Sequence, residues 1–410
     1  MARIDFEIEK NIEILDMDEQ GDDDASTAPD TVSPDEFFSK HAFRVVYQTN
    51  NFLLPQLRDL VSKGEVLNLR PEYQRRLRWT NTQKSRLIES LLLNIPIPPV
   101  FLYESDGARY EVMDGQQRLN AIKEFQEGEF YLTGLEVLSP LNGLRYSKAP
   151  PRIKRALDRA SISAIVLLLE SDSERSPDNK FTITDVRRFV FDRLNTGGTK
   201  LNAQEIRNAI YPGEFNKLVV NLTRGHVFTE IFGIPPYVES EPSDYYENPE
   251  RQKNTLYASM GDCQLVLRYF ALRDEDNIRG SMKSMLDRAM ASRVKMTGND
   301  ADELGEEFDK VLNAAVEIFG PRPFLLPADD KGRRRISSAL YDASMVAVYR
   351  QIEHLPLLLE CNKNIKKRLA REFASGDKDG VLTGQGNTAK TVKERIDLLE
   401  SIIREGAGLI

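Results

Sequence analysis

Apolar positions along this chain change period repeatedly, and each period predicts an element. In 52–63, Leu53, Leu57, Leu60 and Val61 fall on one helical face, with Gly64 as a stop. A second helix is predicted over 82–93, capped by Thr80 or Asn81, because Leu87, Ile88, Leu91 and Leu92 recur at helical spacing. The prolines of NIPIPP (94–99) end it and lead into two β-rich runs, VFLYE (100–104) and RYEVM (109–113), which read as a hairpin across the polar turn at Ser105, Asp106 and Gly107. ISAIVLLLE (162–170) reads as a buried strand, and 182–194 and 202–211 as short helices on either side of Asn195, Thr196, Gly197 and Gly198. Beyond 250 the periodicity is helical, over 254–273, 278–295, 301–319, 336–359, 363–374 and 391–404. Strands mixed with helices, then helices alone, predict an α+β domain followed by a mainly helical C-terminal domain.

Length and composition narrow this picture. The chain has 410 residues, enough for two to four domains, and its 40% hydrophobic and 29% charged residues exclude collagen-like and wholly disordered classes. No apolar stretch approaches the ~20 residues of a membrane span, and MARIDFEIEK carries acid where a signal peptide is basic, so a soluble, cytoplasmic protein with no membrane partner is expected. Cys263 and Cys361 are too few for a disulfide framework, and His41, His226 and His354 have no short ligand spacing, which disfavours histidine-rich metal hydrolases and HNH-type nucleases.

The net charge of -8 is unevenly placed. Residues 1–40 hold 13 acids and 3 bases, leaving 53 bases and 51 acids in the body, which is therefore close to neutral. The run GDDDASTAPDTVSPDE (21–36) reads as disordered. The predicted organisation is an acidic tail over 1–40, an α+β domain over 41–212, a helical extension over 213–300 and a C-terminal helical domain over 301–410.

Three segments can carry chemistry. In YEVMDGQQRLNAIKEF (110–125) a strand runs into Asp114 and Gly115 and a helix follows, with Leu119, Ile122 and Phe125 on its buried face. Backbone N–H groups near Gly115, Gln116 and Gln117 then lie at the positive end of the helix dipole, with Arg118 in the first turn, an arrangement that suits anions. Asp114 either caps the helix or holds a cation that bridges phosphates. Between 70 and 86 stand six bases (Arg70, Arg75, Arg76, Arg78, Lys84, Arg86) and one acid, Glu72, interleaved with Tyr73 and Trp79. Arginine forks fit phosphate oxygens and an aromatic ring stacks on a base; a solvated basic face with Trp79 in the core is the alternative. In FVFDRLNTGGTKLNAQEIRNA (189–209) a helix with Phe189, Phe191 and Leu194 stops at Asn195, and the Gly197–Gly198 pair permits close backbone approach to a ligand or simply turns the chain.

Taken in order, PEYQR with its downstream tryptophan, SLLLNIPIPPVFL, DGQQR, and LNTGG followed by LNAQEIRNA resemble the GmrSD restriction-endonuclease N-terminal domain family, which is similar to the ParB/sulfiredoxin fold. The resemblance is strong over about 45–212. It implies a nucleotide pocket in which Gly115, Gln116, Gln117 and Arg118 cradle phosphates and Asp114 orients the loop or a Mg²⁺ or other divalent cation. Gln74, Arg75, Asn195 and Gly197 close the pocket. Asp114, Gln117 and Arg118 are the candidate catalytic residues, with Gln117 positioning water and Arg118, Arg75 and the cation neutralising charge.

Nuclease-bearing members of the family carry a C-terminal HNH-type domain, and with only His354 in its last third this chain is expected to lack one. The expected function is a nucleoside-triphosphate-binding, NTP-hydrolysing ParB-like regulatory protein of a prokaryotic antiphage or restriction system. Its expected partners are a nucleoside triphosphate, DNA and a separate effector protein, with a second copy of the chain as a further candidate. The alternative is a non-catalytic DNA-binding or assembly subunit in which Arg76, Arg78 and Lys84 contact nucleic acid. Nuclease activity in the ParB-like domain ranks last, for want of a carboxylate cluster suited to two metals. GQGNTAKT (384–391) nearly matches a phosphate loop, but its polar surroundings predict instead a loop whose Thr388 or Thr391 caps the terminal helix.

Overall fold

A computed structural model of the protein describes residues 14–15, 45–62, 66–69, 79–105, 109–168, 183–194, 202–238, 248–328, 332, 334–375, 380–383 and 386–409. The chain divides into two units, Pro29–Ile210 and a helical unit that joins Tyr211–Ile410 to Met1–Ala28. The first described element, β1 (Ile14–Leu15), belongs to the helical unit.

The α+β unit is built on β2 (Val46–Leu53), α1 (Leu54–Ser62), β3 (Leu67–Asn68), α2 (Asn81–Leu92), β4 (Val100–Ser105), β5 (Arg109–Asp114) and α3 (Gln116–Glu127), then α4 (Pro151–Arg159), β6 (Ser161–Leu168), α5 (Ile183–Leu194) and α6 (Ala203–Ile210). The strands form one mixed sheet in the order β2-β6-β4-β5-β3, with β2/β6 and β4/β5 antiparallel and β6/β4 and β5/β3 parallel. The predicted hairpin is thus present as β4/β5. Alternation along the strands turns Val100, Leu102, Val112, Ile162, Ala164 and Val166 into one core, which Leu87, Ile88 and Leu91 of α2 and Leu119, Ile122 and Phe125 of α3 complete.

Of the two expected caps of α2, Thr80 and Asn81, the structure uses Thr80. Its hydroxyl accepts from the Gln83 N–H while the Gln83 side chain accepts from the Thr80 N–H, a reciprocal pair that fixes where the helix starts. Farther along, the buried Glu89 carboxylate accepts from the backbone N–H groups of Glu136, Val137 and Leu138 and so ties the 130–144 loop to α2. Burial pushes the pKa of Glu89 up, but those three donors and nearby Arg86 outweigh it and hold it below the ordinary carboxylate value.

Two elements of this unit depart from the periodicity. β2 was read only at its end, as the start of a helix: VYQTNNFL is polar in its middle because it is an edge strand, paired with β6 along its whole length. Its last residue, Leu53, is 42% exposed, and Leu54 takes the core position instead. The helix α4, PRIKRALDR, has Leu157 as its one fully buried anchor; its short apolar period, Ile153, Ala156 and Leu157, is set among four bases.

The helical unit contains α7 (Glu214–Leu222), α8 (His226–Phe232), α9 (Gly261–Leu272), α10 (Met282–Ala291), α11 (Gly298–Phe319), β7 (Ile336–Ser337), α12 (Ser338–Arg350), α13 (Asn362–Ala374) and α14 (Ala389–Ala407), with short helices between them. The segments expected as separate over 213–300 and 301–410 pack as one unit, because Phe308 of α11 meets Phe228 of α8 and Tyr269 and Phe270 of α9. Every residue of α9 is buried, Asp262, Gln264 and Arg268 included, so no face of this helix is left to solvent. The helix expected over 254–273 is broken at Met260, whose φ is 57°. Within the acidic tail, Ile14–Leu15 pairs in parallel with Ile336–Ser337; the other residues of 1–40 lie outside the described ones. No helix among the described residues is long and apolar enough to cross a membrane.

Candidate functional site

The strand-to-helix junction is a single residue, Gly115, between the end of β5 and the start of α3. Its φ is 95°, in the left-handed region, and a Cβ there would lie 2.5 Å from Val100 Cγ1, so backbone conformation and space both require glycine. The approach is shaped by a register shift: Phe101 pairs with Asp114 but Leu102 with Val112, which leaves Met113 as the extra residue of a bulge that re-aims the strand end. The first helical bond runs from the Leu119 N–H to the Gly115 carbonyl at 3.0 Å, so the N–H groups of Gln116 to Arg118 have no acceptor within the helix. They sit at the positive end of the α3 dipole.

Side chains around the junction are engaged in ways the sequence did not fix. Asp114 does not cap α3, whose N-cap is Gly115 without a side-chain bond. Its Oδ2 accepts instead from Arg118 Nη2 at 2.6 Å, while Arg118 Nη1 donates to the Pro98 carbonyl at 2.6 Å. Asp114 is 51% exposed and Arg118 12%, so the pair lies flat against the strand end with the carboxylate turned outward.

Gln116 Nε2 donates to the Leu69 carbonyl at 2.7 Å, and Gln117 Oε1 accepts from the Trp79 N–H at 3.0 Å. The two glutamines of the motif therefore hold the two residues that flank the arginine-rich segment 70–78. Position alone had suggested phosphate or water contacts for them; a 47-residue and a 38-residue separation hid these partners. Trp79 is partly buried against the sheet core, which decides its role in favour of packing.

Of the other expected site residues, Gln74, Arg75, Arg76, Arg78, Asn195 and Gly197 lie outside the described residues. Lys84, an expected nucleic-acid contact, is engaged within the fold: its Nζ is 2.5 Å from Glu124 Oε2, both side chains are largely covered, and the ammonium lies over the Phe130 ring.

Sequence reasoning missed Arg187 of α5. Its Nη2 bonds the Glu111 carboxylate of β5 and the Ala209 carbonyl of α6, and its guanidinium lies 4.8 Å from the Tyr103 ring centroid, so one side chain ties both helices to the sheet next to the junction. The LNAQEIRNA motif is likewise structural: Gln204, Glu205, Arg207 and Asn208 are buried, and Asn202 and Glu205 cap α6 reciprocally. Four polar residues filling half of an eight-residue helix were the signal that could have shown this.

A divalent cation can be tested against the same geometry. Asp114 offers carboxylate oxygen, the donor chemistry Mg²⁺ prefers, and its Oδ2 is engaged by Arg118. Among the described residues no three His, Cys, Asp or Glu side chains gather into a metal-ligating group, so Asp114 would act as a single carboxylate beside ligand oxygens.

The phosphate-loop look-alike behaves as expected. Thr388 caps α14, its hydroxyl accepting from the Thr391 N–H, and among the described residues just before it 381–383 form a turn and none lies in a named strand.

Residues 57–212 match the family model described as GmrSD restriction endonuclease, N-terminal domain, the family that the four motifs resemble. The match begins inside α1 and so omits β2, which the sheet nevertheless includes as a full-length edge. No curated protein and no solved structure matches the chain.

Proposed function

We propose that this GmrSD-type N-terminal domain binds a nucleoside triphosphate at the Asp114–Arg118 junction, as part of a restriction system directed against foreign DNA. One observation carries the reading. The left-handed Gly115 opens the first turn of α3 toward a ligand, while Gln116 and Gln117 pin both flanks of the arginine-rich segment 70–78 to that same turn.

In this arrangement the first-turn N–H groups take phosphate oxygens. Arg118 exchanges its bond to Asp114 for one to phosphate, and Arg75 approaches from the flank. The released Asp114 carboxylate is the protein's contribution to a bound Mg²⁺, whose chemistry is to neutralise neighbouring phosphate oxygens. Hydrolysis is the second step of the same proposal. Arg118 and Arg75 stabilise charge as it develops on the transferred group. Gln117 acts as a positioning residue, since its carbonyl oxygen already accepts from Trp79. The mixed sheet with α3 after β5 supports a ParB/sulfiredoxin-like fold as part of this reading.

The test is a thermal-shift series with the four ribonucleoside triphosphates and Mg²⁺. A ligand at about 100 times its Kd stabilises the native state by about 2.7 kcal/mol, so at least one triphosphate should raise the Tm by several degrees. No shift with any of the four overturns the proposal.

A further inference from the structure

The segment that leads into and forms α4, residues 145–159, carries six bases (Arg145, Lys148, Arg152, Lys154, Arg155, Arg159) and one acid, Asp158. Arg152, Arg155 and Arg159 follow one another at steps of three and four residues, which puts them on one face of the helix. Leu157 on the opposite side is buried in the sheet core at 1% exposure and fixes the rotation of the helix, so that this face is turned to solvent. All three arginines and Lys148 are exposed, and none of them forms an ion pair with a described carboxylate.

We propose that this stripe binds the phosphate backbone of duplex DNA, as a second surface separate from the junction at Gly115. From Arg152 to Arg159 the helix rises about 10 Å, the axial span of about three phosphate steps along one strand. Guanidinium forks are matched to phosphate oxygens. A protein partner is a poorer fit, because interfaces between proteins centre on apolar side chains and none of the exposed large hydrophobic residues lies in 145–159. The proposal goes beyond the nucleotide reading and stands without it.

The experiment measures fluorescence anisotropy of a labelled duplex of mixed sequence with the full chain, between about 50 and 200 mM salt. Arg152→Gln/Arg155→Gln/Arg159→Gln should weaken binding at least tenfold at the low-salt end and reduce the slope of log K against log salt by about 2 to 3, since each phosphate neutralised contributes about 0.9. Lys363→Gln/Lys367→Gln/Arg371→Gln on α13 removes the same charge from another exposed basic helix and should leave affinity and slope near those of the unchanged protein. Should the triple variant on α4 fail to fold by its thermal transition, Arg155→Gln alone should lower the slope by about 1. Failure of the unchanged protein to bind duplex, a slope unaltered by loss of the stripe, or an equal loss in the α13 variant overturns the proposal; the first of these would leave an acidic protein segment as the occupant.

Discussion

Two glycine-containing loops in this chain precede a helix and resemble phosphate-binding turns, yet they are built for opposite ends. At Asp114–Arg118 a strand delivers the chain to a left-handed Gly115, no side chain caps α3, and the motif's polar side chains reach outward to hold a distant basic segment. At Gly386–Thr391 turns precede the helix, and Thr388 fills the cap of α14 with its own hydroxyl. The Gly386 carbonyl is taken by the buried guanidinium of Arg395, beside the Arg268–Asp342 ion pair. Glycine spacing is shared by both. What separates them is the element before the loop and whether the first-turn donors have already been satisfied.

The contrast can be broken most forcefully from the structural side. Asp342 is fully buried between Arg268 and Arg395, so Asp342→Asn leaves two guanidinium groups without that charge; denaturant unfolding should show a loss of about 3–5 kcal/mol. Gly115→Ala forces a side chain into the left-handed region and onto Val100, which should cost about 1–3 kcal/mol from the backbone alone and remove triphosphate binding as well. Thr388→Ala deletes a cap and should lower stability by only about 1 kcal/mol, with nucleotide-dependent Tm shifts unchanged. A Thr388→Ala variant that lost those shifts would erase the distinction between the two loops.

Much of the fold was legible because its cause is local. Periodicity placed α2, α3, β4, β5 and β6 within a residue or two, and Thr80 marked the start of α2. β2 was not legible, since an exposed edge strand keeps only its ends apolar, and α4 was hidden because its three apolar positions are outnumbered by bases in a nine-residue run. For the site, Gly115 and the open helix start could be read from DGQQR. The partners of Gln116, Gln117, Lys84 and Arg187 could not, because each is set by tertiary contacts 22 or more residues away in sequence. Lys84 shows the cost of reading charge without partners: the sequence counts it among six bases, and the fold pairs it with Glu124.

The most direct test of the central claim is an equilibrium titration of one Mg²⁺-triphosphate against three proteins: the unchanged chain, Arg118→Ala and Thr388→Ala. Loss of a charge-assisted bond to phosphate amounts to about 1.5–3 kcal/mol, so Arg118→Ala should weaken binding by roughly ten- to a hundredfold while Thr388→Ala matches the unchanged chain. Equal affinity for the unchanged chain and Arg118→Ala, or a loss confined to Thr388→Ala, would contradict the assignment of the phosphate site to the Gly115 junction.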